Sequence, residues 1–362
     1  MWRKVMANND RSNVIINQKK LWQNNDNDIW LASILHLHRN LEKFNFPGKL
    51  STERRKQVVS VLSKEILSLD LLETATLIRA EEMEPFEKEF LGEHFWSNDN
   101  FIQAHLGEAF IIDASGQFLA SFNIRNHLHL QLIECKGELE KAWNKLLKIE
   151  TTIGQNISFA YNAKYGFLTA DIGSCGTALL VSIYLQLPAL VHTGKMEEIV
   201  EKNKEESIAC FGLRGSPKEI IGDLLVVQNN YTLGVTEESI ISNLNAFATK
   251  MVVEENTARN QIRASSDPYI KDKISRAFGI LTHSYQIDAI EALNAISLIK
   301  LGIEMGWVEG ISRQSINQLF FNCRRSHLLA EFHEKTHLPQ EEIVHKRAEF
   351  IHKALLQAHL RV

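Results

Sequence analysis

At 362 residues, with 44% hydrophobic and 23% charged side chains, the chain has the make-up of a soluble globular protein, long enough for one large domain and a smaller one. A formal net charge of -4 argues against a generic nucleic-acid binder. Its four cysteines, Cys135, Cys175, Cys210 and Cys323, lie far apart with no Cys-x-x-Cys pair, which excludes a zinc ribbon and a disulfide framework.

The N-terminus has no apolar signal-peptide core. The longest apolar run, Ala178 to Val191, contains Gln186 and Pro188 and is too short to span a bilayer. The expected setting is cytoplasmic, with no membrane and no nucleic-acid partner.

Residues 1–27 are polar and rich in Asn, Lys and Arg, the composition of a loose arm. Ile29 to Arg39 alternates as a strand, with His36 and His38 on one side. After a turn at Phe46-Pro47-Gly48, Ser51 is placed to cap a helix through Leu67, in which Val58, Leu62 and Ile66 recur at helical spacing. Phe110–Asp113 and Phe118–Gln131 read as a hairpin around Ala114–Gln117. Within it, Asn123 to Gln131 alternates apart from Asn126: Ile124, Leu128 and Leu130 on one side, Arg125, His127, His129 and Gln131 on the other. A solvated face more often carries Lys, Glu or Thr, so this strand reads as the floor of a polar cleft.

Lys136 to Glu150 has the pattern of an amphipathic helix, and Phe159 to Thr169 that of a strand region. Asp171 to Thr177 is a small-residue loop, and Ala178 to Leu187 is read as a buried helix stopped near Pro188. A charged helix over Glu197–Glu206 and strands over Ile208–Leu213 and Asp223–Asn229 follow. Thr236 then caps a long helix to about Ser265, with Glu237 and Glu238 well placed for its dipole. From Asp267 only helical patterns remain, over Tyr269–His283, Asp288–Gly302, Ser312–Leu329 and Gln340–His359. The expected class is α+β: an arm over 1–27, a catalytic-type domain over 28–265 and an all-α domain over 266–362.

Two His-x-His pairs, His36/His38 and His127/His129, would bring four imidazoles together if their strands were neighbours, and zinc needs three or four such ligands. With no acidic ligand nearby, polar cleft lining is the preferred reading and no metal is expected. The loop Gly173–Thr177 could cradle an anion at a helix N-terminus, although small residues in a tight turn explain it equally well. Cys175 lacks support as a nucleophile. Asp288 and Glu291 read as capping charges, and the doublets Arg324-Arg325 and Lys346-Arg347 as solvated helix surface.

Several stretches, in order, resemble the McsB-type protein arginine kinases, relatives of the phosphagen kinases: Tyr161-Asn-Ala-Lys-Tyr-Gly-Phe-Leu-Thr169, Gly176-Thr177, Leu187-Pro-Ala-Leu190, Asn229-Asn-Tyr-Thr-Leu-Gly234, Arg276-Ala-Phe-Gly-Ile-Leu281 and Leu301-Gly-Ile-Glu-Met-Gly306. The resemblance covers about Ile29 to Leu356. It implies a kinase domain with an antiparallel sheet flanked by helices, then a helical C-terminal domain, and phosphoryl transfer from ATP to a guanidinium. It also implies five arginines on the nucleotide phosphates and an acid on the guanidinium.

The departures fall on those charged positions. Ile34 and His36 stand for the family's Arg-x-Arg pair, and His129, Leu180 and Phe211 for its other clamping arginines. The central strand keeps Asn123, His127 and Leu128 of the family pattern, but Arg125 replaces the acid facing the substrate, and Ser216 the acid of the flexible loop. A vestigial nucleotide site would use His36, His127, His129, Gly176 and Arg214, helped by Arg39 and Arg125. In the matching phosphoarginine motif, Ile343 to Ala348, Arg347 and Ala348 survive while the first Arg and the Asp do not.

These substitutions imply a degenerate kinase kept as a regulatory or scaffolding protein, with no cofactor expected. Its partners by resemblance would be an McsA-like zinc-binding activator and Clp chaperone components, and a homodimer is compatible with it. The alternatives are an active kinase using ATP and Mg through a rewired phosphate site, or a metal-dependent enzyme built on His36, His38, His127 and His129.

Overall fold

The computed structural model describes residue 15 and residues 27–72, 74–97, 101–203, 205–216, 219–332 and 338–361. The arm expected over 1–27 lies outside the described residues except for Ile15, which is buried, and Asn27, whose Oδ1 accepts the Trp30 N–H at 3.0 Å.

Among the described residues eight strands form one antiparallel sheet: β1 Trp30–Arg39, β2 Thr76–Arg79, β3 Ala109–Ile112, β4 Phe118–Phe122, β5 Leu128–Glu134, β6 Leu179–Gln186, β7 Ile208–Phe211 and β8 Leu224–Asn229. Their spatial order is β2-β3-β4-β5-β1-β6-β8-β7, so β1 lies inside the sheet between β5 and β6. Leu31, Leu35 and Leu37 of β1 are fully buried. On that face lie α3 (Leu139–Asn156) and α6 (Glu237–Ser265), the latter capped by Thr236, whose side chain accepts the Ser239 N–H. The remaining helices are α1 Thr52–Leu67, α2 Pro85–His94, α4 Pro188–His192, α5 Met196–Asn203, α7 Pro268–His283, α8 Ala289–Met305, α9 Arg313–Asn322, α10 Arg325–Glu331 and α11 Gln340–Ala354.

Three local readings are corrected. The segment read as a buried helix, Ala178–Leu187, is strand β6. Its residues alternate, Leu179, Val181, Ile183 and Leu185 toward one face and Leu180, Ser182, Tyr184 and Gln186 toward the other, and the β-branched Val and Ile favour the extended form. The Asn123–Gln131 strand begins only at Leu128, because Asn123 takes φ +61° and residues 123–127 turn the chain. The helix expected over Ser312–Leu329 breaks at Cys323-Arg324, where the Glu93 carboxylate accepts the N–H groups of Ser326 and His327 and starts α10. The C-terminal region also holds a two-residue antiparallel ladder, Val308–Glu309 with His359–Leu360.

Charged groups bury where they are matched. Glu255 of α6 accepts the N–H groups of Ala189 (3.1 Å) and Leu190 (3.0 Å) at the start of α4, and pairs with Arg259 at 2.7 Å. Arg259 also pairs with Asp28. Burial alone would lower the Arg259 pKa, but the Glu255 and Asp28 carboxylates hold it above its ordinary value. Lys300 of α8 donates to Gln186 at the end of β6, and burial pushes its pKa down to about 7.

Candidate functional site

The register gathers onto one face of the sheet the positions that the resemblance implies are altered. Residues directly opposite in an antiparallel pair point to the same side. Ile34, His36 and His38 of β1 therefore share a face with Ile133, Gln131 and His129 of β5, and Ile34 and His36 with Ser182 and Leu180 of β6. Ser182 and Tyr184 extend it to Gln228 and Val226 of β8, which face Ala209 and Phe211 of β7. Ile34, His36, His129, Leu180 and Phe211 thus stand on four strands of a single surface. Among the described strand positions of this face, from Thr76 of β2 to Phe211 of β7, none is Arg, Lys, Asp or Glu.

On this face lies an imidazole cluster. His36 Nδ1 lies 3.0 Å from His129 Nε2, and the His38 ring centroid is 4.3 Å from that of His129. An N–H···N contact needs one bare ring nitrogen, so the bonded pair accommodates at most one extra proton. Ser121 Oγ of β4 is 3.5 Å from His129 Nδ1. Part of the face is covered: Gln131 donates to the Phe95 carbonyl, and Trp96 meets Tyr184 edge-on at 4.1 Å. The Arg324 guanidinium sits 5.4 Å from the Trp96 ring, tying the C-terminal helices to this end of the sheet.

His127 is not part of the cluster. From the 123–127 turn its Nδ1 accepts the Leu41 N–H at 3.0 Å and its Nε2 donates to the Asn45 carbonyl at 2.9 Å, and burial lowers its pKa. The four imidazoles expected to converge are therefore three. Among the described residues no three His, Cys, Asp or Glu side chains are grouped as a metal ion would require.

The arginines singled out in the sequence lie elsewhere. Arg39 projects from the opposite face of β1, where it pairs with Glu150 at 2.8 Å, donates to the Thr177 carbonyl at 3.1 Å and stacks 3.4 Å from the Phe167 ring centroid. Arg125 is exposed on the turn before β5. Arg214 is on the loop after β7, its Nη1 3.5 Å from Glu219. Arg347 is buried in α11 and donates to the carbonyls of Cys323 (2.8 Å) and Ile287 (2.9 Å). With Arg324 donating to the Glu93 carbonyl at 2.8 Å, neither basic doublet is simply the solvated surface expected of it.

The small-residue loop opens a strand, so it presents no helix N-terminus to an anion. Its glycine is there for close approach. Gly176 takes φ +107°, exchanges hydrogen bonds with Phe167, and a Cβ on it would meet the Thr232 carbonyl oxygen at 2.0 Å. Gly176→Ala is expected to cost more than about 3 kcal/mol, since it adds a left-handed backbone penalty to a clash with main chain. Urea unfolding measures this, and an unchanged midpoint would mean that the loops move aside freely. Cys175 is buried beside Thr169 Oγ1 at 3.5 Å.

Sequence reasoning missed Ser182, Tyr184 and Gln228 as members of the face that carries the histidines. Reading β6 as a helix hid them, and its strict period of two was the available signal.

Comparison with known proteins agrees with this architecture. The family model for the ATP:guanido phosphotransferase C-terminal catalytic domain matches residues 56–258, and that for the protein-arginine kinase McsB C-terminal domain matches residues 267–361. A protein-arginine kinase of Chlamydia muridarum is 34% identical over 82% of this chain and 83% of its own length. One from Clostridium acetobutylicum is 33% identical over 93% of this chain and 99% of its own. Among solved structures, the duplicated taurocyamine kinase of Schistosoma mansoni matches with a TM-score of 0.56 at 20% identity, over 68% of this chain and 37% of that one. Lombricine kinase matches with a TM-score of 0.55 at 17% identity, over 67% of this chain and 70% of that one. Those two likenesses carry the fold, and the sequence matches carry the lineage: the chain belongs to the protein-arginine kinases of the ATP:guanido phosphotransferase family.

Proposed function

We propose that this chain is a degenerate protein-arginine kinase that acts as a regulatory or scaffolding protein. The observation that carries the reading is the sheet face without Arg or Lys at Ile34, His36, His129, Leu180 and Phe211. A hydrogen bond to a charged group contributes roughly 1.5–3 kcal/mol, so five lost clamps remove roughly 7 kcal/mol or more even after discounting for non-additivity. Micromolar affinity amounts to about 8 kcal/mol in all. A single transition-state arginine is worth about 10³–10⁵ in rate. The family's ATP with its Mg is a poor fit to aliphatic, aromatic and imidazole groups. The bonded imidazole pair does not stand in for two guanidinium forks. Protein surfaces would then be its ligands, the zinc-binding activator and Clp components implied by the resemblance among them. The names of its relatives favour the rival reading, an active ATP-dependent enzyme.

One side-by-side experiment separates the readings: calorimetric titration with ATP and Mg, and transfer from labelled ATP to an arginine-rich protein, against the Clostridium acetobutylicum relative. The expected result is no saturable micromolar binding and acid-labile phosphoarginine at least about 10³-fold slower. Micromolar binding with transfer at a comparable rate would establish the rival.

A further inference from the structure

We propose that the cleft between α4, α7 and α8 is a binding site for a free linear amino acid with a cationic side chain, an inference that goes beyond the reading above and does not depend on it. The cleft is open to solvent and has a volume of ≈ 610 Å³, within the size range of small-molecule sites. Its floor is apolar, formed by Ala277 and Ile280 of α7 and Ala295 and Leu298 of α8.

Its two walls carry opposite charge. On α7, Lys273 and Arg276 are three residues apart and so lie on one side of the helix. Lys273 is set in place: its Nζ lies 3.4 Å from Nδ1 of His192, whose Nε2 is 3.3 Å from the Asp223 carboxylate. Arg276 is partly engaged by Asp272 at 2.7 Å on the exposed surface, which leaves Lys273 as the main cation of this wall. On the other side, Asp288 caps α8 by accepting the Ile290 N–H at 2.9 Å, and Glu291 stands one turn further along.

A ligand for this arrangement needs an anion at one end, a cation at the other and an aliphatic body between them. An α-carboxylate set against Lys273, and a side-chain ammonium or guanidinium set against Glu291 and Asp288, satisfy it. A plain anion would meet the acidic wall, and a plain cation the basic wall. The altered kinase face takes no part, since the lining residues all lie outside it.

Calorimetry on the full chain with three probes tests the assignment. L-lysine carries both ends, 1,5-diaminopentane lacks the carboxylate, and L-norleucine lacks the side-chain cation. Lysine is expected to bind with one-to-one stoichiometry, and each single-ended probe at least about tenfold more weakly. Glu291→Gln should weaken lysine about tenfold while leaving norleucine unchanged, and Lys273→Met should weaken lysine while leaving diaminopentane unchanged. No saturable lysine binding in the millimolar range, or equal affinity for all three probes, would overturn the proposal. The comparison of probes uses the unaltered protein, so it decides the matter even if a variant folds poorly. ATP titration does not enter it, so failure here and failure of the kinase reading are told apart.

Discussion

Glu255→Ala is expected to cost the fold about 3–5 kcal/mol, because it leaves a buried cation with half of its compensation. Glu255 is fully buried, and its two oxygens serve three donors: the N–H groups of Ala189 and Leu190 and the Arg259 guanidinium. Deleting the carboxylate strips the start of α4 of its acceptor and leaves Arg259 to Asp28 alone. The double variant Glu255→Ala with Arg259→Met should recover part of the loss, since removing both charges ends the uncompensated desolvation. Urea midpoints at constant m-value measure both effects. A loss below about 1 kcal/mol for the single variant would show that water reaches the site and that the pair contributes little.

Acid should weaken the protein well before its surface carboxylates titrate, and His94 is the main reason. Burial, with the charge of His327 acting in the same direction, lowers the His94 pKa to about 3, and its Nε2 faces the Gly116 carbonyl at 3.1 Å. The folded state keeps this ring neutral while the unfolded chain takes up a proton below its ordinary value of 6.5. Stability is therefore fully present above pH 6.5 and falls as the pH drops toward 3, by about 3 kcal/mol by pH 4. Glu93 extends the decline. Burial alone would raise its pKa, but the hydrogen bond from His327 and the charge of Arg324 hold it down at about 2. Its contribution is present above the ordinary 4.5 and is lost as the pH falls through about 2. His94→Phe should lessen the slope of unfolding free energy between pH 6.5 and 4.5, a window above the Glu93 titration, leaving the part due to His127, whose pKa burial also lowers. A slope unchanged from that of the parent would exclude His94 as its source.

Much of this architecture was legible before any coordinates. The central strand over Ile29–Arg39 and the capped helices at Ser51 and Thr236 carry strong local signals, because a period of two or 3.6 and an N-cap are written in adjacent residues. The site was legible only as an alignment with a family. That Ile34, Leu180 and Phe211 share a face depends on register between strands up to 177 residues apart, since the farthest pair is Ile34 and Phe211. Nothing local encodes such pairing. Arg39 shows the same limit from the other side. Its position beside His38 suggested help for the phosphates, and only the pleat of β1 sends it to Glu150. The burial of Arg347 and the half-burial of Arg324 were illegible for a further reason: a charged doublet looks solvated until the carbonyls that receive it are placed.

The position of β1 has a consequence for how the chain is made. Strand β1 precedes the other seven strands of the sheet in the chain, yet it sits inside the sheet with β5 and β6 as neighbours. One edge stays unsatisfied until synthesis has passed Glu134 and the other until it has passed Gln186, so the nascent chain carries an apolar strand with at least one bare edge until β6 is made. Closing those long-range pairs makes folding slow and late, and exposes the chain to wrong strand partners in the meantime.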